Sequence, residues 1–155
     1  MSRLRLTREL KDLSETGEFN IRAIDEDLNV LRAVIQGPAH SPYRDGIFRL
    51  EIHIPPEYPL AAPRVAFMTK IFHPNVDSRT GEICLDILKT DWSPAWGIAT
   101  VCRAIAALLD SPNADSPLNC DAGNLIRSGD LLAFNSVARM YTLDYATSSS
   151  SHIHS

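Results

Sequence analysis

Several features are scarce in this chain, and each scarcity removes a class of protein. The 155 residues hold three cysteines, which cannot all pair within one chain, and no CxxC occurs. Neither a disulfide scaffold nor a zinc site is therefore indicated, and a reducing compartment is expected. No apolar run approaches the ~18 residues of a membrane span, and the opening residues lack the apolar core of a signal peptide. A soluble, cytoplasmic protein with no direct membrane insertion is the expectation. Excess positive charge is missing too. Fifteen basic against nineteen acidic side chains leave a net charge of −4, which argues against nucleic acid as a partner.

What remains is an ordinary globular composition, 45% hydrophobic and 22% charged, in a length that suits one domain with its own core. No internal repeat or linker divides it. The domain is expected to span residues 1–146. The tail from Thr147, TSSSSHIHS, has nothing to bury and is expected to be disordered. Two histidines in it, His152 and His154, do not make a metal site, and no metal is expected.

Periodicity gives the elements. Leu6, Leu10 and Leu13 form one apolar stripe of a helix over residues 2–15 that Gly17 stops. From Phe19 to Arg64 the pattern is strand-like. Phe48, Leu50, Ile52 and Ile54 alternate with Arg49, Glu51 and His53, and Val30 to Ile35 is rich in β-branched residues. Val65, Phe67 and Ile71 suggest a further strand running into His73. Between strands lies Pro55 to Pro63, where four prolines exclude regular structure. Ile98, Val101, Cys102, Ile105 and Leu109 recur at helical spacing, which places Cys102 among packing residues. A short helix is expected over Gly123 to Arg127. Asp130 should cap a final helix through Tyr145, with Leu132, Val137, Met140 and Tyr141 as its apolar positions. A helix, a run of hairpins and closing helices make an α+β domain.

The chemistry concentrates between His73 and Trp96, HPNVDSRTGEICLDILKTDWSPAW. Cys84 sits nine positions after Asn75, between a proline-restricted triplet and a loop containing Trp92, Pro94 and Trp96. A thiol held between two pinned loops has the character of a nucleophile. A nearby asparagine amide can donate to a developing oxyanion, worth a factor of ~100–1,000 in rate.

This stretch resembles the active-site region of ubiquitin-conjugating enzymes. His73, Pro74 and Asn75 match that family's His-Pro-Asn triplet, Cys84 its catalytic cysteine in an Ile-Cys-Leu-Asp-Ile-Leu setting, and Trp92 to Ala95 its Trp-Ser-Pro-Ala element. The resemblance implies the UBC fold: an N-terminal helix, a four-stranded antiparallel sheet and C-terminal helices. It implies that Cys84 accepts ubiquitin as a thioester from the ubiquitin-activating enzyme and passes it to an acceptor with a RING ligase. No cofactor is needed, since ATP is used by the activating enzyme upstream. Asn75 would stabilise the oxyanion directly or by bracing its loop, with His73 and Pro74 as loop support. Asp115 would orient or polarise the acceptor. Arg5, Leu60, Pro94 and Ala95 match the family's ligase-binding surface.

Trp92 to Gly97, Ser116 to Asn119 and Gly123 to Asp130 further resemble the peroxisomal ubiquitin-conjugating enzymes. That resemblance implies recruitment to the cytosolic face of the peroxisomal membrane by a membrane-anchored peroxin, with the recycling import receptor as substrate. The alternative is a general cytosolic conjugating enzyme for ubiquitin or another ubiquitin-like modifier. A cysteine hydrolase would need a histidine base, and His40, His53 and His73 come with no such signature. An inactive binding variant would lack the cysteine.

Overall fold

The computed structural model describes residues 2–147. The N-terminal helix α1, Ser2–Thr16, buries Leu6 and Leu13 and half-buries Leu10. Gly17 ends it with φ 67°, donating its N–H to the Leu13 carbonyl, a conformation glycine adopts without a Cβ penalty.

A four-stranded antiparallel sheet follows in sequence order: β1 Asn20–Ala23, β2 Val30–Gln36, β3 Ile47–His53 and β4 Arg64–Phe67. Register sets the faces. Leu31 lies opposite Ile52, Ala33 opposite Leu50 and Ile35 opposite Phe48, while Val65 and Phe67 continue the rows from β4. All of these are buried, and Arg32, Arg49 and Glu51 occupy the other face. The period of two read from β3 is therefore one core face and one wet face.

Against the core face packs α2, Ile98–Asp110, with Ile98, Val101, Cys102, Ile105 and Leu109 all buried in the same cluster. Two further helices, α3 Cys120–Arg127 and α4 Leu131–Tyr145, close the fold. Helix, four-stranded antiparallel sheet and closing helices form the α+β architecture that the resemblance implied.

Three local features differ from the sequence expectations. The last strand stops at Phe67 instead of continuing to Ile71. Met68 still donates to the Arg49 carbonyl, but the Arg49 N–H is taken at 2.9 Å by the Thr69 hydroxyl. A side chain thus occupies the place of the next ladder bond, and the chain turns away with Ile71 buried outside the strand. Helix α3 starts at Cys120, ahead of Gly123, because the Asn119 side chain accepts the Ala122 N–H and caps it. In α4 the buried positions are Phe134, Ala138 and Thr142, while Leu132 is 80% exposed and Met140 51%. Thr142 can enter the core because its hydroxyl donates to the Ala138 carbonyl at 2.9 Å.

Asp130 caps α4 as expected, accepting from the Ala133 N–H. Of the expected tail, Thr147 is half-buried and its hydroxyl donates to the Leu143 carbonyl at 3.4 Å. His152, His154 and the rest of the tail lie outside the described residues.

Candidate active site

The triplet His73, Pro74 and Asn75 is a buried hub from which the surrounding loops hang. His73 is fully buried, with Nε2 2.8 Å from the Leu108 carbonyl near the end of α2 and Nδ1 3.0 Å from the Asn75 N–H. A carbonyl only accepts, so Nε2 carries the proton and Nδ1 is the acceptor. Burial pulls the pKa of His73 down from 6.5 to about 4, against the opposing pull of the Leu108 carbonyl. The ring is neutral at physiological pH. The adjacent Phe72 carbonyl accepts the buried Tyr43 hydroxyl at 2.6 Å, and the Tyr43 ring lies 5.8 Å from His73.

Pro74 and Asn75 extend the hub towards two loops. The Pro74 carbonyl accepts from the N–H groups of Leu118 and Asn119 at 2.8 and 3.1 Å. Asn75 is 3% exposed, and its side chain is engaged reciprocally with Asn113. Nδ2 donates to the Asn113 carbonyl at 2.7 Å, and Oδ1 accepts the Asn113 N–H at 2.9 Å. The Asn113 side chain in turn accepts from the N–H of Asp115 at 3.0 Å. Asn75 is thus a brace for the segment carrying Asp115, an exposed carboxylate.

Cys84 hangs from the same hub. Its N–H donates to the Asn75 carbonyl at 2.8 Å, beside a bridge between Val76 and Ile83. Ile83 is buried and Cys84 half-buried, so the thiol sits at the surface on an anchored backbone. The short helix Asp86–Leu88 follows it. The other two thiols are placed differently. Cys102 is fully buried in α2, and burial pushes its pKa up to about 12. Cys120 is exposed at the first turn of α3. Among the described residues no His, Cys, Asp or Glu cluster suited to a metal occurs, and no helix is long and apolar enough to cross a membrane.

The expected ligase residues lie on two loops tied together. The indole N–H of Trp92 donates to the Pro59 carbonyl at 2.8 Å, and Trp92 packs against both Tyr58 and Trp96. Leu60 is 77% exposed, and Pro94 and Ala95 are exposed on the facing loop. Arg5 reaches from α1 to donate to the carbonyls of Pro94 and Trp96, with its guanidinium 5.7 Å from the Tyr58 ring centre. The sequence-selected residues fall into two groups: Cys84, Asn75, Asp115, His73 and Pro74 around the hub, and Leu60, Pro94 and Ala95 on the tied loops with Arg5 reaching them from α1. Sequence reasoning missed Asn113, Leu108 and Asn119 at the hub, and Glu9 and Tyr58 beneath the loops. For Asn113 a signal was available, since asparagine two residues before an acid in a proline-bounded loop favours an Asx turn.

Comparison with known proteins identifies the family. The family model described as ubiquitin-conjugating enzyme matches residues 5–142. Protein PEROXIN-4 of Arabidopsis thaliana is 54% identical over 145 residues, covering 91% of this chain and 92% of that protein. Ubiquitin-conjugating enzyme E2 pex4 of Dictyostelium discoideum is 56% identical over 121 residues, covering 78% and 81%. Among solved structures, a Toxoplasma gondii ubiquitin conjugating enzyme superposes with a TM-score of 0.88 at 38% identity, covering 95% of this chain and all of that one. H. polymorpha Pex4p, solved in complex with the soluble domain of Pex22p, gives 0.86 at 32% identity, covering 94% and 98%. A match from residue 5 to residue 142 begins within α1, runs through the sheet and the hub and ends within α4, and the chain belongs to the ubiquitin-conjugating enzyme family.

Proposed function

We propose that Cys84 is the thiol that accepts ubiquitin, and that the enzyme works at the peroxisomal membrane with a RING ligase. The observation that carries the first half is the anchoring of a half-buried thiol to a fully bonded hub, through the Cys84 N–H and the Asn75 carbonyl. The Cys84 thiolate attacks the thioester carbonyl of the charged activating enzyme, and the tetrahedral intermediate collapses by expelling that enzyme's thiolate. In the second step an acceptor amine or thiol attacks the new thioester, loses its proton, and Cys84 leaves as thiolate. Asn75 acts by bracing the 113–116 loop, because its Oδ1 and one Nδ2 hydrogen are already engaged with Asn113. Asp115, on the braced loop, orients or polarises the acceptor. His73 is not the base: it is buried, neutral and bonded at both nitrogens.

Charging by activating enzyme, ATP and a panel of modifiers, read on a non-reducing gel, tests this reading. Cys84→Ala should form no reducible adduct, and Cys84→Ser should trap an oxyester that survives thiol reagents. A parent protein charged only by another ubiquitin-like modifier would overturn the choice of ubiquitin.

The peroxisomal half rests on similarity to the Arabidopsis and Dictyostelium proteins and on the Pex4p structure with a Pex22p domain. A membrane-anchored peroxin would hold the enzyme at the cytosolic face, with the recycling import receptor as substrate. The C-terminal helices are the candidate contact, because α4 presents Leu132, Met140 and Leu143 to solvent. Tagged protein should decorate peroxisomes and become diffuse when the anchor is deleted. A diffuse signal with the anchor present would leave a general cytosolic enzyme.

A further inference from the structure

Beneath the two exposed loops lies a carboxylate bonded neither to the hub nor to Leu60, Pro94 or Ala95. Glu9, one turn along α1 from Arg5, reaches across to both loops at once. Its Oε2 accepts the Tyr58 hydroxyl at 2.6 Å, and its Oε1 accepts the Ile98 N–H at 2.7 Å. Ile98 opens α2, whose N-cap, Gly97, has no side chain to supply a cap. Glu9 therefore caps α2 from another helix, and a carboxylate is the group a helix N-terminus favours. Tyr58 belongs to the Pro55–Pro63 loop that carries Leu60, and Gly97 follows the loop that carries Pro94 and Ala95.

Space and charge are arranged around this carboxylate. A Cβ built on Gly97 would lie 2.0 Å from Glu9 Oε1, and the three atoms nearest it all belong to the Glu9 carboxylate. Glycine at 97 is thus the seat of that group. Arg5 Nε lies 3.5 Å from Glu9 Oε2, with the two side chains 32% and 18% exposed. The pair orients the guanidinium that donates to Pro94 and Trp96. Burial first, and the Glu9 bond second, hold the proton on Tyr58, keeping it a donor.

We propose that Glu9, seated on Gly97, is a positioning residue that sets the spacing of the loop bearing Leu60 against the loop bearing Pro94 and Ala95, and so determines affinity for the RING partner. The inference rests on the ligase-docking reading of those three residues. Glu9 acts through the two loops it is bonded to. It holds both halves of the docking surface to α1, so that the surface is formed before the partner arrives. Preorganisation of this kind lowers the ordering cost of binding and changes affinity without adding a contact.

The test is ligase-stimulated discharge of pre-charged enzyme, titrated with a purified RING domain chosen because it stimulates the parent. Glu9→Ala removes the carboxylate. Gly97→Ala leaves it in the chain but displaces it, since the clash is with the far end of a flexible side chain that can swing away. Both should raise KM for the RING domain about tenfold, with kcat at saturating RING domain within about threefold of the parent. Glu9→Gln should raise KM by less than Glu9→Ala, about threefold, because an amide can still accept from Ile98 and donate to the Tyr58 oxygen but loses the ion pair to Arg5. Unchanged KM in both Glu9→Ala and Gly97→Ala, or a fall in kcat and melting temperature at constant KM, would overturn the proposal. So would a Glu9→Gln variant as impaired as Glu9→Ala. Leu60→Ala serves as the separate arm. If it leaves KM for the RING domain unchanged, the docking reading itself fails, whatever Glu9 does.

Discussion

At the scale of single residues, the site depends on groups whose hydrogen-bonding capacity is taken up inside the protein. His73 illustrates the consequence for pH. Its folded pKa of about 4 lies below the unfolded 6.5, so the unfolded chain takes up the proton first as pH falls. The contribution is fully present above pH 6.5, declines below it, and is lost once pH passes about 4. The loss amounts to about 2 kcal/mol by pH 5 and about 3 kcal/mol in all. Denaturant midpoints at pH 7 and pH 5 should differ accordingly, and His73→Gln should flatten that difference while lowering stability at pH 7. An equal pH slope in the variant would remove His73 as its source. For Asn75, truncation to Ala deletes both bonds to Asn113 and frees the loop carrying Asp115. Single-turnover discharge should slow by about 10–100-fold, while charging by activating enzyme stays near the parent rate. Discharge at the parent rate in a folded variant would show that the brace has no part in transfer.

At the scale of elements, exposure separates positions that look alike in sequence. Ile105 in α2 is fully buried and Leu132 in α4 is 80% exposed, though both are aliphatic residues in amphipathic helices. Ile105→Ala should cost about 2–5 kcal/mol by removing atoms from a packed core. Leu132→Ala should fall within about 0.5 kcal/mol. Chemical denaturation of the two variants checks the pair, and a large loss at Leu132 would mean that α4 is turned differently. The alternation along β3, the stripe in α2 and the cap at Asp130 were legible because each is a pattern of side-chain type. The face of α4 was not. Its buried set includes Thr142, which sequence counts as polar and which enters the core only by bonding back to Ala138. The end of β4 was equally hidden, since it depends on one hydroxyl, Thr69, meeting one amide across the sheet.

At the scale of the whole molecule, two assemblies of loops are fixed to the same core. One is hung from His73, Pro74 and Asn75 and presents Cys84 and Asp115. The other is fastened to α1 by Arg5 and Glu9 and presents Leu60, Pro94 and Ala95. Sequence motifs picked out both sets of surface residues as candidates, because motifs are patterns of side-chain identity. They did not reveal the fastenings, most of which run from a side chain to a backbone carbonyl or amide far along the chain, as Arg5 to Trp96 and Asn75 to Asn113 do. The central claim is that one thiol of three, the one hung from the hub, carries the modifier. Peptide mapping by mass spectrometry of the parent protein, charged with activating enzyme, ATP and ubiquitin and kept free of reductant, tests it most directly. All thioester-linked ubiquitin should map to Cys84, with Cys102 and Cys120 recovered as free thiols. Thioester-linked ubiquitin on Cys120, with Cys84 recovered unmodified, would contradict the account.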